Sequence, residues 1–318
     1  MAQGLASDGS PIEQAIYTSA QTDRGGGYQV VAASPGLVDR DLRALATWCP
    51  SHDALLEAQD RATSINFHPL PSGAFCIART ETAGAEYSER GGRRLHTHCL
   101  ITPPHVLQRF GNNPFALLRA AVAGGLLERQ EPAGRPLPAA RLPGRAALFD
   151  HSLLAWLGRE LGSERLNSLL DSALTARLLG LAAPRAERIV AGLLNCLPIE
   201  VRTEFSFSTG LRFSPRRPFR WVVVERDEVA QRHLEQQFDV TVVNPHRGRP
   251  RAAAPAEHGW ARFVAACLDQ RRLAQLKAEL SRPRPGLTTA DLSALGKTCL
   301  SEGTVTQRPT AATNMARN

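Results

Sequence analysis

Lysine is almost missing from this chain. Of its 38 basic residues only Lys277 and Lys297 are lysine, against a background rich in alanine, leucine and proline. That bias looks like the coding habit of a GC-rich bacterial genome, so the formal net charge of +8 is weak ground for a nucleic-acid partner. Long apolar runs are missing too. No uninterrupted stretch approaches the roughly 18 residues a spanning helix needs, and no charged-then-apolar leader opens the sequence. A cytoplasmic protein without a membrane partner is therefore expected. The six cysteines (Cys49, Cys76, Cys99, Cys196, Cys267 and Cys299) show no C-x-x-C spacing, which argues against a metal ribbon or a redox motif. Several sit in apolar patterns and read as reduced, buried thiols. Catalytic signatures are also lacking. LGKT at residues 295–298 has no glycine five residues before its own, so it is no P-loop, and no GxSxG, HExxH, EF-hand or kinase pattern occurs. No cofactor and no metal is expected.

What is present is a long chain with orderly periodicity. At 318 residues it can bury a sizeable core and would ordinarily divide into about two domains. The rest is organised around residues 177–209. Residues 178–183 are apolar on both parities, as in a strand covered on both faces. Pro184 then suits a first helical turn. Ile189, Val190, Leu193, Leu194 and Leu197 form one helical stripe ended by Pro198. Phe205 and Phe207 alternate with Glu204, Ser206 and Ser208, a strand with one buried face. The connection is long enough for parallel strands, which makes this a crossover unit; a helical hairpin followed by one strand is the competing reading.

Upstream, residues 1–12 read as a frayed end. Residues 14–20 and 28–32 flank QTDRGGG as a hairpin, whose glycines lack GxGxxG spacing. Ser34 and Pro35 predict the start of a helix that carries Leu37, Val38, Leu42, Leu45 and Trp48 and stops at Pro50. Strands follow at 64–69, 74–80 and 94–102, then a helical region broken at GNNP, so residues 12–127 carry the order β, β, α, β, β, β, α. Residues 128–147, with their prolines and arginines, read as a linker. An α/β domain over 148–245 should contain two helices from about Asp150, the crossover unit, a strand at 219–225, a helix at 228–238 and a short strand at 240–243. One long helix should run from Trp260 to before Pro283 within a C-terminal helical segment, 257–300, and residues 301–318 should be a disordered tail. The expected fold class is α/β, with an α+β first part.

Two groups of residues invite chemistry. In RLHTHCLIT, strand alternation puts His96 and His98 on one face and Cys99 on the other, so they cannot converge on a metal without a bulge. A hydrolase using Cys99 or Cys76 with His98 would need an exposed nucleophile beside an oriented base, and nothing local supplies one. The second group is the loop LRFSPRRPFRW, with Arg212, Arg216, Arg217 and Arg220 among Phe213, Phe219 and Trp221, and a further basic loop holding Arg247 and Arg249. Such a mixture can stack bases or grip phosphates, or it can be a hairpin loop whose aromatics face the core. If the two loops are neighbours they make a surface for an acidic partner.

The segments EQAIYTSAQ, GYQVVAASPGL, RRLHTHCLI, LLNCLPIEVRTEFSFST and RRPFRWVVV resemble the bacterial GTPase-associated proteins, whose N-terminal and middle domains are encoded beside a GTPase. The likeness spans roughly residues 12–245 and rests on framework positions. The element order of the first part is also similar to a longin domain, and the helices with a crossover unit to the second half of a DENN module. The resemblance implies a non-enzymatic adaptor or regulator of a GTPase encoded nearby, with an exchange-factor-like action as one form of that regulation, among other components of one system and with no catalytic residue to carry over. The six arginines named above are the candidate partner-binding residues. A cysteine hydrolase and a nucleic-acid binder acting through the arginine loops stand as the alternatives.

Overall fold

Alternating apolar residues in the first third of the chain become five antiparallel strands. They are β1 (Glu13–Thr22), β2 (Gly25–Ala33), β3 (Thr63–Pro69), β4 (Phe75–Ala85) and β5 (Arg93–Thr102). Helix α1 (Asp39–Trp48) lies between β2 and β3, and α2 (Pro104–Arg109) and α3 (Pro114–Ala123) follow β5. This is the order expected, including the break at GNNP. There Asn113 caps α3 by accepting from the Phe115 and Ala116 N–H groups, with Pro114 in the first turn. In the computed structural model the described residues are 11–22, 25–56, 62–85, 93–129, 136–247 and 257–305.

The second half supplies α4 (His151–Thr175), β6 (Leu179–Leu181), α5 (Ala186–Asn195), a 3-10 turn (Ile199–Glu204), β7 (Phe207–Ser208), β8 (Trp221–Val223), α6 (Glu228–Phe238) and β9 (Thr241–Val243). Helices α7 (Gly259–Asp269), α8 (Leu273–Ser281) and α9 (Leu292–Val305) complete it. The nine strands of the described residues form one mixed sheet in the order β2-β1-β5-β4-β3-β7-β8-β6-β9. The fold class is α/β. Strands β6 to β9 run parallel, and β6 and β7 lie on either side of β8, so the central unit is a crossover and the helical-hairpin reading fails. The two halves meet where β7 pairs antiparallel with β3, Asn66 opposite Ser208 and Phe67 opposite Phe207.

The faces of the sheet are covered differently. One face buries Ile65, Phe67, Ile77, Leu100, Phe207, Trp221, Leu179 and Leu181 in a single cluster with α2, α3, α4, α5 and α7. The other face packs Ala15, Tyr17, Cys76, Cys99 and Ile101 against Leu45 of α1 and Cys49, which caps that helix. Farther along, Val222, Val224 and Phe219 pack with Leu55 and Leu211. Residues 136–142 lie along the β1–β2 edge. Ile12 and Ala140 exchange backbone hydrogen bonds, and the Leu137 N–H donates to the Ala33 carbonyl.

Several expectations are corrected. Ser34 does not cap α1; its hydroxyl accepts from the Gln14 N–H, and the helix starts at Asp39. Pro184 stands outside α5, whose cap is Arg185 in a left-handed conformation (φ 53). The Phe205–Ser208 stretch has no solvent face, because Phe205, Ser206, Phe207 and Ser208 are all buried and only the last two form a strand. The long helix after Trp260 is two helices, parted at Arg271 (φ 54), since left-handed backbone ends a right-handed helix. The two helices expected from Asp150 are there, meeting at Gly162 (φ 73). Residues 301–305 continue α9, while 306–318, like 1–10, 86–92, 130–135 and 248–256, lie outside the described residues.

Candidate functional site

The thiols and imidazoles are distributed by strand alternation. Cys99 opposes Ala15 and Ala78 across the ladders, and His98 opposes Ile16 and Arg79, so the two side chains leave the sheet on opposite faces. Cys76 shares the face of Cys99. His98 is buried, and its Nε2–H donates to Gln14 Oε1 at 2.9 Å; Gln14 Nε2 in turn donates to the Pro138 carbonyl at 2.7 Å. Burial lowers the His98 pKa from 6.5 to about 4. The imidazole is therefore a neutral strut between β5, β1 and the 136–142 segment, and it is not aimed at either thiol.

What the sequence did not disclose is that Cys49, at the end of α1, reaches the sheet. Its sulfur lies 3.7 Å from that of Cys99, and Cys76 is in the same buried cluster, so three free thiols gather under α1. The Cys49 thiol is pushed well up by its bond to Cys99 and by burial. Cys76 is pushed up by burial and by the neighbouring Cys99 thiol. The two thiol neighbours pull Cys99 down. Among the described residues no group of three His, Cys, Asp or Glu side chains is placed to hold a metal ion. No described helix is long and apolar enough to cross a membrane.

The arginine loop has an inside and an outside. Phe219 is buried against Trp48, ring centres 4.9 Å apart, and Phe213 packs on Phe238 at 5.1 Å, so the aromatics face the protein. Arg220 is anchored by a hydrogen bond from Nη2 to the Leu174 carbonyl (3.1 Å), and its guanidinium lies 4.1 Å over the Phe205 ring. Arg217 Nη2 donates to the Arg212 carbonyl at 2.8 Å. Burial lowers the pKa of both. Arg216 is exposed. Arg212 is paired with Glu225 at 3.2 Å, and Arg247 with Glu228 at the start of α6. The structure thus brings Arg212 and Arg247 to one turn, residues 225–228, where the two basic loops meet. Arg249 lies outside the described residues.

Helix α6 beside this turn is unusual among the described helices that pack on the sheet. None of its side chains is buried, and Val229 is 73% exposed. Between α6 and the 211–213 segment lies an open cavity of about 510 Å³ walled by Leu56, Phe213, Val224, Val229 and Leu234, with Glu225 and Arg212 at its rim. An apolar floor with charged margins is the composition of a docking groove, whereas the thiol cluster is sealed.

Residues 11–142, which contain β1 to β5 and α1 to α3, match the family described as GTPase-associated protein 1, N-terminal domain type 2. No curated protein matches the chain.

Proposed function

We propose that this chain is a non-enzymatic adaptor or regulator that docks on a GTPase encoded nearby, working with the other components of that system. The observation that carries the reading is the match of residues 11–142 to a GTPase-associated N-terminal domain. The docking face is the turn where the two basic loops meet, with Arg212, Arg216 and Arg247 outermost, Arg217 and Arg220 behind them, and the exposed side of α6 alongside; Arg249, two residues after Arg247 in the sequence, is the sixth candidate residue. The sheet order β2-β1-β5-β4-β3, with α1 on one face and α2 and α3 on the other, supports a longin-like first part. The parallel β6–β9 unit supports a DENN-like second part. An exchange-factor-like action follows only if the chain binds one nucleotide state of its GTPase better than the other, because equal affinity shifts nothing.

Mixing the full chain with the neighbouring GTPase, loaded with a fluorescent guanine nucleotide, tests this. A complex, with nucleotide release accelerated or retarded, is the expected result. Absence of a complex at tens of micromolar of each protein would remove the proposal.

A further inference from the structure

A second cavity, about 290 Å³, opens on the other side of the Phe213–Phe238 contact. It lies at the N-terminal ends of the parallel strands, where the chain enters β6 at Arg177 and β9 at Asp239, under the loop that leads into β8. Three arginines, Arg177, Arg217 and Arg220, are among the residues that line it, with one acidic residue, Asp239. Arg217 and Arg220 are half-buried, and the groups they donate to are the main-chain carbonyls of Arg212 and Leu174. Among the described residues none of the three arginines forms an ion pair. That is an uncommon arrangement. A partly desolvated cation ordinarily acquires a carboxylate, because leaving its charge uncompensated is costly. Here the more distant Glu204 offsets only Arg220, and the groups that act on Arg217 at a distance are Cys49 and Tyr17, the latter held protonated by burial with its pKa near 12.

We propose that this cavity is an anion site that receives the phosphate group of a small ligand, held by Arg177, Arg217 and Arg220. A guanidinium carries five N–H donors in a planar fork, so each anchored arginine keeps donors beyond the one its carbonyl takes. The stacking of Arg220 on Phe205 and the carbonyl bond of Arg217 fix two of the forks before any ligand arrives, which reduces the ordering cost of binding. Three positive charges against one negative leave an excess of two, the charge of a phosphate monoester or of hydrogen phosphate. The volume lies at the lower end of small-molecule sites and fits inorganic phosphate or a compact phosphomonoester. The phenyl rings of Phe213 and Phe238 form an apolar wall for the ester's organic part. The inference stands on this cavity alone and is independent of any GTPase.

The test uses the full chain, with inorganic phosphate and glycerol 3-phosphate as probes and chloride at matched ionic strength as the control. Calorimetry and thermal melting should show saturable binding of at least one probe, with stabilisation that chloride does not give. Arg177→Gln, at an exposed position, should keep the fold and weaken binding at least fivefold. Arg220→Gln should weaken it at least tenfold, whereas Arg43→Gln, an exposed arginine on α1, should leave it unchanged. An ester that binds tenfold more tightly than phosphate identifies the phosphomonoester as the ligand class; equal or better binding of phosphate identifies the free anion. No binding above the chloride control, or binding that Arg177→Gln and Arg220→Gln both leave intact, overturns the site. None of these readouts involves a GTPase, so failure here leaves the docking proposal standing.

Discussion

Arg202 illustrates how single residues tie this molecule together. It is fully buried, and its three guanidinium nitrogens donate to the carbonyls of Leu197 (3.0 Å), Gly111 (2.9 Å) and Leu148 (3.0 Å). One side chain thereby links the turn after α2, the approach to α4 and the end of α5, and burial lowers its pKa from 12.5 to about 10. Arg202→Met fills similar space but strands three buried acceptors, so it should cost about 3–5 kcal/mol by urea unfolding. A loss under about 1 kcal/mol would show that water replaces the guanidinium. Histidine gives the pH dependence. Burial lowers both His68 and His98 from 6.5 to about 4. Protonation then favours the unfolded chain. Their contribution, roughly 3 kcal/mol each, is complete above pH 6.5 and is lost as pH falls toward 4. His68→Phe preserves the stack on Trp48 (4.3 Å) and removes one titration, so it should reduce the slope of stability against pH in that window by about one proton. An unchanged slope would mean that other groups carry it.

Among the helices, α7 and α9 cross with main chain close to main chain at Gly259 and Gly296. A Cβ at Gly296 would collide with the Trp260 N–H and the Gly259 carbonyl, main-chain atoms that cannot swing aside. Gly296→Ala should therefore cost about 3 kcal/mol despite the higher helix propensity of alanine, whereas Thr298→Ala, exposed on the same helix, should change stability by less than about 0.5 kcal/mol. Thermal melts of the two variants distinguish the outcomes, and equal melting temperatures would refute the close crossing. Periodicity disclosed the elements whose faces differ in burial: β1 to β5, the α5 stripe and the polar-faced α6. It failed where backbone conformation decided the matter. Arg271 breaks a helix at a position with no apolar signature, and Arg185 begins one after a proline that seemed to do so. It also failed where tertiary packing decided. Ser206 and Ser208 look solvent-facing, yet Ser206 accepts from the Arg220 N–H and Ser208 from the Leu211 N–H inside the sheet.

At the scale of the molecule, one sheet runs from β2 to β9 through the two-residue pairing of β3 with β7. Phe207 sits at that joint, stacked on Phe115 (5.0 Å) and close to Phe67 (5.8 Å), inside a cluster that draws on both halves of the sequence. Far-ultraviolet dichroism and tryptophan fluorescence should report one coincident unfolding transition, and Phe207→Ala should shift it by about 3–5 kcal/mol without splitting it. Two separated transitions in the native chain would contradict a shared core. Of the candidate site, alternation disclosed that Cys99 and His98 point apart, and composition disclosed the arginines. It did not reveal which arginines are anchored inside and which are outermost, because that sorting depends on Leu174, Phe205, Glu225 and Glu228, contributed by other parts of the fold.

The docking face is tested most directly by the affinity of the full chain for the neighbouring GTPase, measured separately with diphosphate and with a non-hydrolysable triphosphate analogue bound. The account predicts a measurable complex, unequal affinities for the two states, and at least tenfold weakening by Arg212→Glu, Arg216→Glu and Arg247→Glu together. Affinity that is equal in both states and indifferent to this charge reversal, or no complex at all, would contradict it.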